Sequence, residues 1–239
     1  MGTTPTQADI EKQNAAKKAM EFIKDGMLLG LGSGSTFGYM LEALAKKVRE
    51  EGFKVEGVPS SEKTRTLAES YGIPLVSFER GMILDLTIDG ADEVDEHWAM
   101  IKGGGGALLR EKINARFSRQ VLIAVDSSKL VRRLGRFPLP VEVVPHGLAP
   151  VTEEIERLGA GVRQRMAGDA PYITDNGNYI LDCAFGQIDE PASLDATLKA
   201  IPGVVESGLF IDLLDILVVG RADGAEVTTT QRQGAAQGR

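Results

Sequence analysis

Four loops rich in glycine, serine and aspartate recur along this 239-residue chain, most of them closing short apolar runs, with helical patterns between them. Met27–Leu31 runs into Gly32-Ser33-Gly34-Ser35-Thr36. Leu84–Ile88 runs into Asp89-Gly90-Ala91-Asp92. Lys102 opens Gly103-Gly104-Gly105-Gly106, and Val121–Val125 runs into Asp126-Ser127-Ser128-Lys129. Runs this short and this apolar fit strands buried on both faces. Strands that alternate with helices build a parallel sheet through right-handed crossovers. The expected fold is α/β, with a Rossmann-like, mostly parallel, doubly wound sheet. Loops at the carboxyl ends of such strands converge on one crevice.

The periodicity predicts helices over residues 8–24, from Phe37 to Val48, over 61–71 and over 107–119. In the last, Leu109, Ile113 and Phe117 form the expected inward stripe, which leaves Glu111 off it. Further strands are expected at 54–58 and 73–78. Pro138, Pro140, Pro145 and Pro150 then mark a boundary. Beyond it the pattern is strand 141–144, helix 151–158, strand 162–166, a hairpin of 172–174 with 179–181 around Asp175-Asn176-Gly177-Asn178, helix 194–201 and strand 204–210. That βαββαβ order predicts a smaller ferredoxin-like α+β domain. Ile216–Val219 is expected to return to the first sheet. The predicted division is 1–135 plus 211–227, then 136–210, with 228–239 as a disordered tail rich in Gln, Gly and Ala.

A net charge of -7 argues against a general nucleic-acid binder. No apolar stretch is long enough for a membrane span, and residues 1–18 lack a signal-peptide core. One cysteine, Cys183, suits a reducing compartment, so the cytoplasm is expected. With one cysteine and two histidines, a His/Cys metal site is not expected.

A glycine loop entering a helix offers N–H donors and the positive end of the helix dipole, and Ser33, Ser35 and Thr36 add hydroxyls. It suits a phosphate monoester; equally it suits a plain turn with an N-cap. Asp89 and Asp92 could accept from sugar hydroxyls, move a proton, hold a divalent cation or cap their own loop. Glu93, Asp95 and Glu96 read as a solvated acidic surface. Four successive glycines imply unusual dihedrals, a ligand against main chain, or a hinge. Glu111, one turn into the following helix, points back toward those glycines. There it is either an exposed surface carboxylate or a general base lining a cleft. Lys102 and Lys129 could each neutralise a phosphate or a developing oxyanion.

Taken together, 32–36, 89–93, 102–112 and 126–129 resemble the type A ribose-5-phosphate isomerases, in the family's order, and the resemblance extends from about Ala8 to Val227. It implies interconversion of ribose 5-phosphate and ribulose 5-phosphate in the non-oxidative pentose phosphate pathway, with no metal or organic cofactor. It implies a Rossmann-like catalytic domain, a ferredoxin-like lid and a homodimer or homotetramer. A small sugar phosphate is the implied partner, with no nucleic acid and no membrane. Glu111 matches the family's base. For that chemistry Asp89 is the candidate for assisting ring opening, and Lys102 for favouring the anionic cis-enediolate. Ser33, Gly34, Ser35 and Thr36 match substrate-binding positions, as do Asp89, Gly90, Ala91, Asp92, Lys102, Gly103, Gly104, Gly105, Lys129 and Lys12. Two rival classes use the same residues: a coenzyme A transferase with Glu111 as nucleophile, and a non-catalytic sugar-phosphate sensor.

Overall fold

A computed structural model describes residues 5–230. The chain gathers into two compact units. One holds Met1–Gly90, Ile113–Lys129 and Asp212–Arg239; the other holds Ala91–Lys112 and Leu130–Ile211. The segment Ala91–Lys112 thus groups with the second unit, a grouping the sequence pattern did not draw. The boundary falls inside the helix Leu108–Arg116.

The first unit is built on a six-stranded sheet. Its order is Gly224–Thr229, Ile216–Arg221, Ser118–Asp126, Leu84–Asp89, Leu28–Leu31, Glu56–Pro59. All neighbours pair in parallel except the first two, which are antiparallel. The first strand in the chain, Leu28–Leu31, has the second on one side and Leu84–Asp89 on the other. The winding reverses there, which makes the carboxyl ends of those two strands the switch point. Leu29, Leu31, Ile88, Leu122 and Val218 are buried in the sheet. Phe37, Met40, Leu41 and Leu44 recur at helical spacing on Gly34–Glu51 and complete this core. Gly52 ends that helix at φ 72°, the left-handed cap that glycine adopts without steric cost.

The helix Gln7–Ala19 opens with a reciprocal cap. Thr6 Oγ1 accepts from the Asp9 N–H at 3.2 Å, and Asp9 accepts from the Thr6 N–H at 3.0 Å. Its alanines, Ala15, Ala16 and Ala19, are buried and bring the backbone close to the sheet. The approach is closest at Gly220, where an added Cβ would sit 1.8 Å from the Glu11 carbonyl oxygen.

The second unit carries a four-stranded antiparallel sheet ordered Val204–Ser207, Leu139–Val143, Tyr179–Ala184, Gly161–Gln164. Helices Leu148–Arg157 and Pro191–Lys199 complete the βαββαβ order. Val141, Val143, Val151, Ile155, Leu181, Cys183 and Leu198 form its core. Burial pushes the Cys183 thiol up to about 12, so it behaves as a small apolar side chain. A small sheet of Leu209–Phe210, Met100–Ile101 and Glu93–Val94 sits in the same unit.

Several expectations need correction. Residues 73–78 form no strand: Leu75 makes one bridge to Gly57, and Pro74, lacking an N–H, cannot extend the ladder. Residues 172–174 do not pair with 179–181. Asp175–Asn178 does turn, with the Gly177 N–H on the Thr174 carbonyl, but Tyr179–Ala184 pairs with Leu139–Val143 and Gly161–Gln164. The turn is drawn aside by the buried Glu142 carboxylate, which accepts from Thr174, Asn176 and Asn178. The strand expected over 204–210 breaks at Gly208, where an added Cβ would meet the Lys102 carbonyl oxygen at 2.4 Å. Thr228 and Thr229 end a strand rather than begin a tail. The rest of the proposed tail, 231–239, lies outside the described residues.

Two outcomes are expected from the seating of the first helix. Gly220→Ala should lower the urea-unfolding free energy by about 1–3 kcal/mol, the usual cost of overpacking; an unchanged midpoint would contradict the close approach. Glu11 accepts from the Ser127 hydroxyl at 2.7 Å and the Ser127 N–H at 2.9 Å. The hydroxyl bond first, then the N–H bond and Gln7, hold its carboxyl below its ordinary value of 4.5. A depressed folded value means stability present above pH 4.5 and lost as pH falls through the lower folded value. Glu11→Gln should therefore be less stable than the parent at neutral pH, and the gap should close on acidification. A gap independent of pH would contradict the ionic bond.

Candidate active site

The first unit places its loops at the switch point. Asp89 closes its strand almost fully buried, and Oδ1 accepts from the Ser33 N–H at 3.0 Å and the Gly90 N–H at 2.8 Å. One carboxylate thus ties the two loops on either side of the reversal. Gly32 has no alternative there, because an added Cβ would lie 2.2 Å from the Asp89 carboxylate. The Gly32 carbonyl in turn accepts from Thr64 Oγ1 at 2.8 Å. Ser33 stands at the N-cap of Gly34–Glu51 without its side chain capping the helix. The first-turn N–H groups are therefore left for another acceptor. Gly34 and Ser35 are exposed, and Gly34 takes a φ of +91°. Thr36 is buried close beneath Gly90.

The loop after Ser118–Asp126 is also fastened. Asp126 Oδ1 accepts from the Ser128 N–H at 3.1 Å and from the Ser128 hydroxyl. Glu11 holds Ser127, so the helix that bears Lys12 is tied to the loop that bears Lys129. Lys12 and Lys129 are both half-buried, and neither has an ion-pair partner among the described residues. These are cations carried beside the hydroxyls of Ser127 and Ser128, chemistry suited to a phosphate.

The second unit holds a buried ion pair. Lys102 Nζ lies 3.3 Å from Glu111 Oε2, with the two side chains 5% and 4% exposed. Lys102 directly follows Met100–Ile101, and its N–H donates to the Gly208 carbonyl at 2.9 Å. Its ammonium also lies 5.5 Å from the Phe210 ring centroid. Glu111 sits in the first turn of Leu108–Arg116, where its N–H donates to the Ala107 carbonyl at 3.0 Å. Removing both charges from water is costly and adds little to stability, so such a pair points to chemistry more than to scaffolding. Asp92 is half-exposed, and its Oδ2 accepts from the Gly104 N–H at 2.7 Å. Ala91, just before it, is half-buried.

Two expectations fail here. Ile113 and Phe117 are 37% and 49% exposed, whereas Glu111 is buried. The buried face of this helix is polar: Lys112 donates to Glu206 at 2.8 Å, and Asn114 donates to the Val58 carbonyl at 2.9 Å. Hydrophobic periodicity points the wrong way when a helix buries charge. Nor do Glu93 and Asp95 form a solvated surface. Glu93 is fully buried and accepts from the Gly135 N–H at 2.8 Å and the Phe137 N–H at 2.7 Å. Asp95 is also buried and caps the His97 and Ala99 N–H groups. Sequence reasoning also missed Arg165 and Tyr172, which bond the glycine run from more than 55 residues away. No local motif surrounds either. Among the described residues no group of three or more His, Cys, Asp or Glu could hold a metal ion. No helix among them is long and apolar enough to cross a membrane.

Comparison with known proteins identifies the family. The family described as Ribose 5-phosphate isomerase A (phosphoriboisomerase A) matches residues 56–224. A Cereibacter sphaeroides protein named ribose-5-phosphate isomerase A is 50% identical over 223 residues, covering 90% of this chain and 89% of that one. A Sphingopyxis alaskensis protein of the same name is 48% identical, covering 91% and 95%. The solved ribose 5-phosphate isomerase A of Methanocaldococcus jannaschii superposes with a TM-score of 0.89 at 38% identity, over 94% of this chain and all of that one. A D-ribose-5-phosphate isomerase solved in complex with phospho-erythronic acid gives 0.91 at 38% identity over the same shares. Motifs, sheet order and similarity along nearly the whole length converge: this chain belongs to the ribose 5-phosphate isomerase A family.

Proposed function

We propose that this chain is an aldose–ketose isomerase that interconverts D-ribose 5-phosphate and D-ribulose 5-phosphate through a cis-enediolate. The observation that carries the reading is the buried Lys102–Glu111 pair beside the glycine run. The relatives named for this reaction support it. So does the solved relative with phospho-erythronic acid, whose carboxylate and phosphate resemble the two charged ends of such an intermediate.

The reaction moves one proton between adjacent carbons. Glu111 takes it from C2 of the open aldose and returns it to C1, while the proton on the C2 oxygen passes to the C1 oxygen. The intermediate is anionic, so Lys102 and the backbone N–H groups of Gly103 and Gly105 favour it. Asp89 assists the earlier opening of the sugar ring. Asp92, Gly90 and Ala91 hold the sugar hydroxyls. Ser33, Gly34, Ser35 and Thr36 hold the phosphate, with Lys129 and Lys12. Binding energy from the phosphate, remote from the reacting carbons, is then available for positioning them.

One acid–base group supplies about 10²–10⁴-fold, so fixed dipoles and cations must supply much of the rest. The chain requires no metal or organic cofactor in this scheme. It works as a homodimer or homotetramer in the cytoplasm, in the non-oxidative pentose phosphate pathway, with its buried Cys183 as a free thiol.

A direct assay of ribulose 5-phosphate formation from ribose 5-phosphate tests the activity. Glu111→Gln should stay folded by circular dichroism and lose turnover by about 10³-fold or more. Near-parental turnover in a folded Gln variant would remove Glu111 as the base. A glutamyl thioester trapped with an acyl-coenzyme A would move the chain to the transferase class.

A further inference from the structure

The glycine run has the softest backbone near the acid–base pair, yet side chains fix its peptide planes, and two of them, Arg165 and Tyr172, lie outside the proposed chemistry. The Gly106 N–H donates to the Gly103 carbonyl at 2.9 Å, which closes a four-residue turn around Gly104 and Gly105. Gly103 and Gly106 have φ of +104° and +83°, whereas Gly104 and Gly105 have no positive φ. That matches a type I turn. A type II turn would need a positive φ at Gly105. The two types differ by a flip of the central peptide, Gly104–Gly105, and glycine makes either state accessible.

Arg165 holds the central peptide against the flip, while Asp92 and Tyr172 fix the peptides on either side of it. Asp92 accepts from the Gly104 N–H at 2.7 Å. Arg165 Nη1 donates to the Gly103 carbonyl at 2.8 Å and the Gly104 carbonyl at 3.1 Å. Tyr172 donates its hydroxyl to the Gly105 carbonyl at 3.3 Å. Arg165 is itself gripped by both oxygens of Asp182, with Nε at 3.0 Å, and packs 5.9 Å from the Tyr172 ring centroid. In a trans peptide the N–H points opposite to the C=O. Holding the Gly104 carbonyl on Arg165 therefore turns the Gly105 N–H away from the guanidinium. Gly105 is exposed, and its N–H has no protein acceptor among the described residues.

We propose that Arg165 is a positioning residue for the isomerisation: by holding the Gly104 carbonyl, it fixes the Gly105 N–H as a donor to the enediolate oxygens. This rests on the isomerase reading above. With the peptide flipped, the Gly104 carbonyl would face those oxygens and repel the developing charge. Arg165 thus acts through the turn and touches no substrate.

The test compares Arg165→Met, Arg165→Lys and Asp182→Asn with the parent in kcat and KM for ribose 5-phosphate and in affinity for phospho-erythronic acid. Arg165→Met should lower kcat by about 10–100-fold, somewhat less than loss of a whole oxyanion donor. KM should stay within about three-fold, since the donor acts on charge present only in the transition state. Affinity for phospho-erythronic acid should fall with kcat. Arg165→Lys, with one donor head instead of a fork, should lie between parent and Met variant. A rise in KM at unchanged kcat would mean that Arg165 binds substrate directly and would overturn the proposal. So would a fall in kcat with inhibitor affinity unmoved, or parental kinetics throughout. If Arg165→Met fails to fold, Asp182→Asn decides: it frees the guanidinium while keeping its donors, and must lower kcat and inhibitor affinity together. A parent without turnover would sink the isomerase reading; an active parent with unaltered variants would sink only the positioning role.

Discussion

A carboxylate and an ammonium held out of water set the demands on the second unit. Lys102 and Glu111 are each about one-twentieth exposed, so their hydration must be replaced by fixed partners. Lys102 gets a backbone anchor at Gly208 and the face of Phe210. Lys112, the residue after Glu111, lies 4.9 Å from the same ring. Burial pushes the Lys112 ammonium below its usual range, and Glu206, then Asp195, pull it back. It also donates to the Ser207 carbonyl at 2.7 Å. Phe210 is therefore neighbour to two cations, Lys102 paired with Glu111 and Lys112 with Glu206 and Asp195. The break at Gly208 makes this possible: it ends one strand and lets Leu209–Phe210 start another beside Met100–Ile101.

The first unit solves a different problem with one carboxylate. At the switch point of the sheet two strand ends diverge, and their loops would otherwise fall apart. Asp89 bridges them through backbone N–H donors, which also consumes part of its hydrogen-bonding capacity. Gly32 is required by the width of that bridge rather than by its own dihedrals. Thr64 then holds Gly32 from the neighbouring strand's helix. The result is a set of amides and hydroxyls with little freedom left to lose when an anion arrives.

Short strands, caps and loop chemistry were legible in the sequence because each is a local rule. The five parallel strands, the glycine-capped helices and the βαββαβ order all follow from runs and punctuation. Burial of charge was not legible. Periodicity assigned Ile113 and Phe117 to the core and Glu111 to the surface, the reverse of what the helix does. Glu93 and Asp95 misled in the same way, since an acidic residue satisfied by backbone donors looks no different in sequence from one in water. Long-range partners such as Arg165 carry no signal at all. Their meaning lies in which carbonyl they reach.

The glycine run shows why a plastic sequence can make a rigid device. Glycine loses the most freedom on ordering, so four in succession are costly unless neighbours demand them. They do. A Cβ at Gly104 would come within 2.6 Å of Asp92, and one at Gly106 within 2.2 Å of the Tyr172 hydroxyl. Gly103 combines a φ of +104° with a clash at Leu108. The space that side chains would occupy is filled by groups that orient the main chain. A hinge needs the opposite, loose carbonyls and open surroundings. Here the carbonyls of Gly103, Gly104 and Gly105 are all taken by Arg165 or Tyr172. The ordering cost falls on folding rather than on each encounter with substrate, which is the condition for fixed dipoles to stabilise a transient anion.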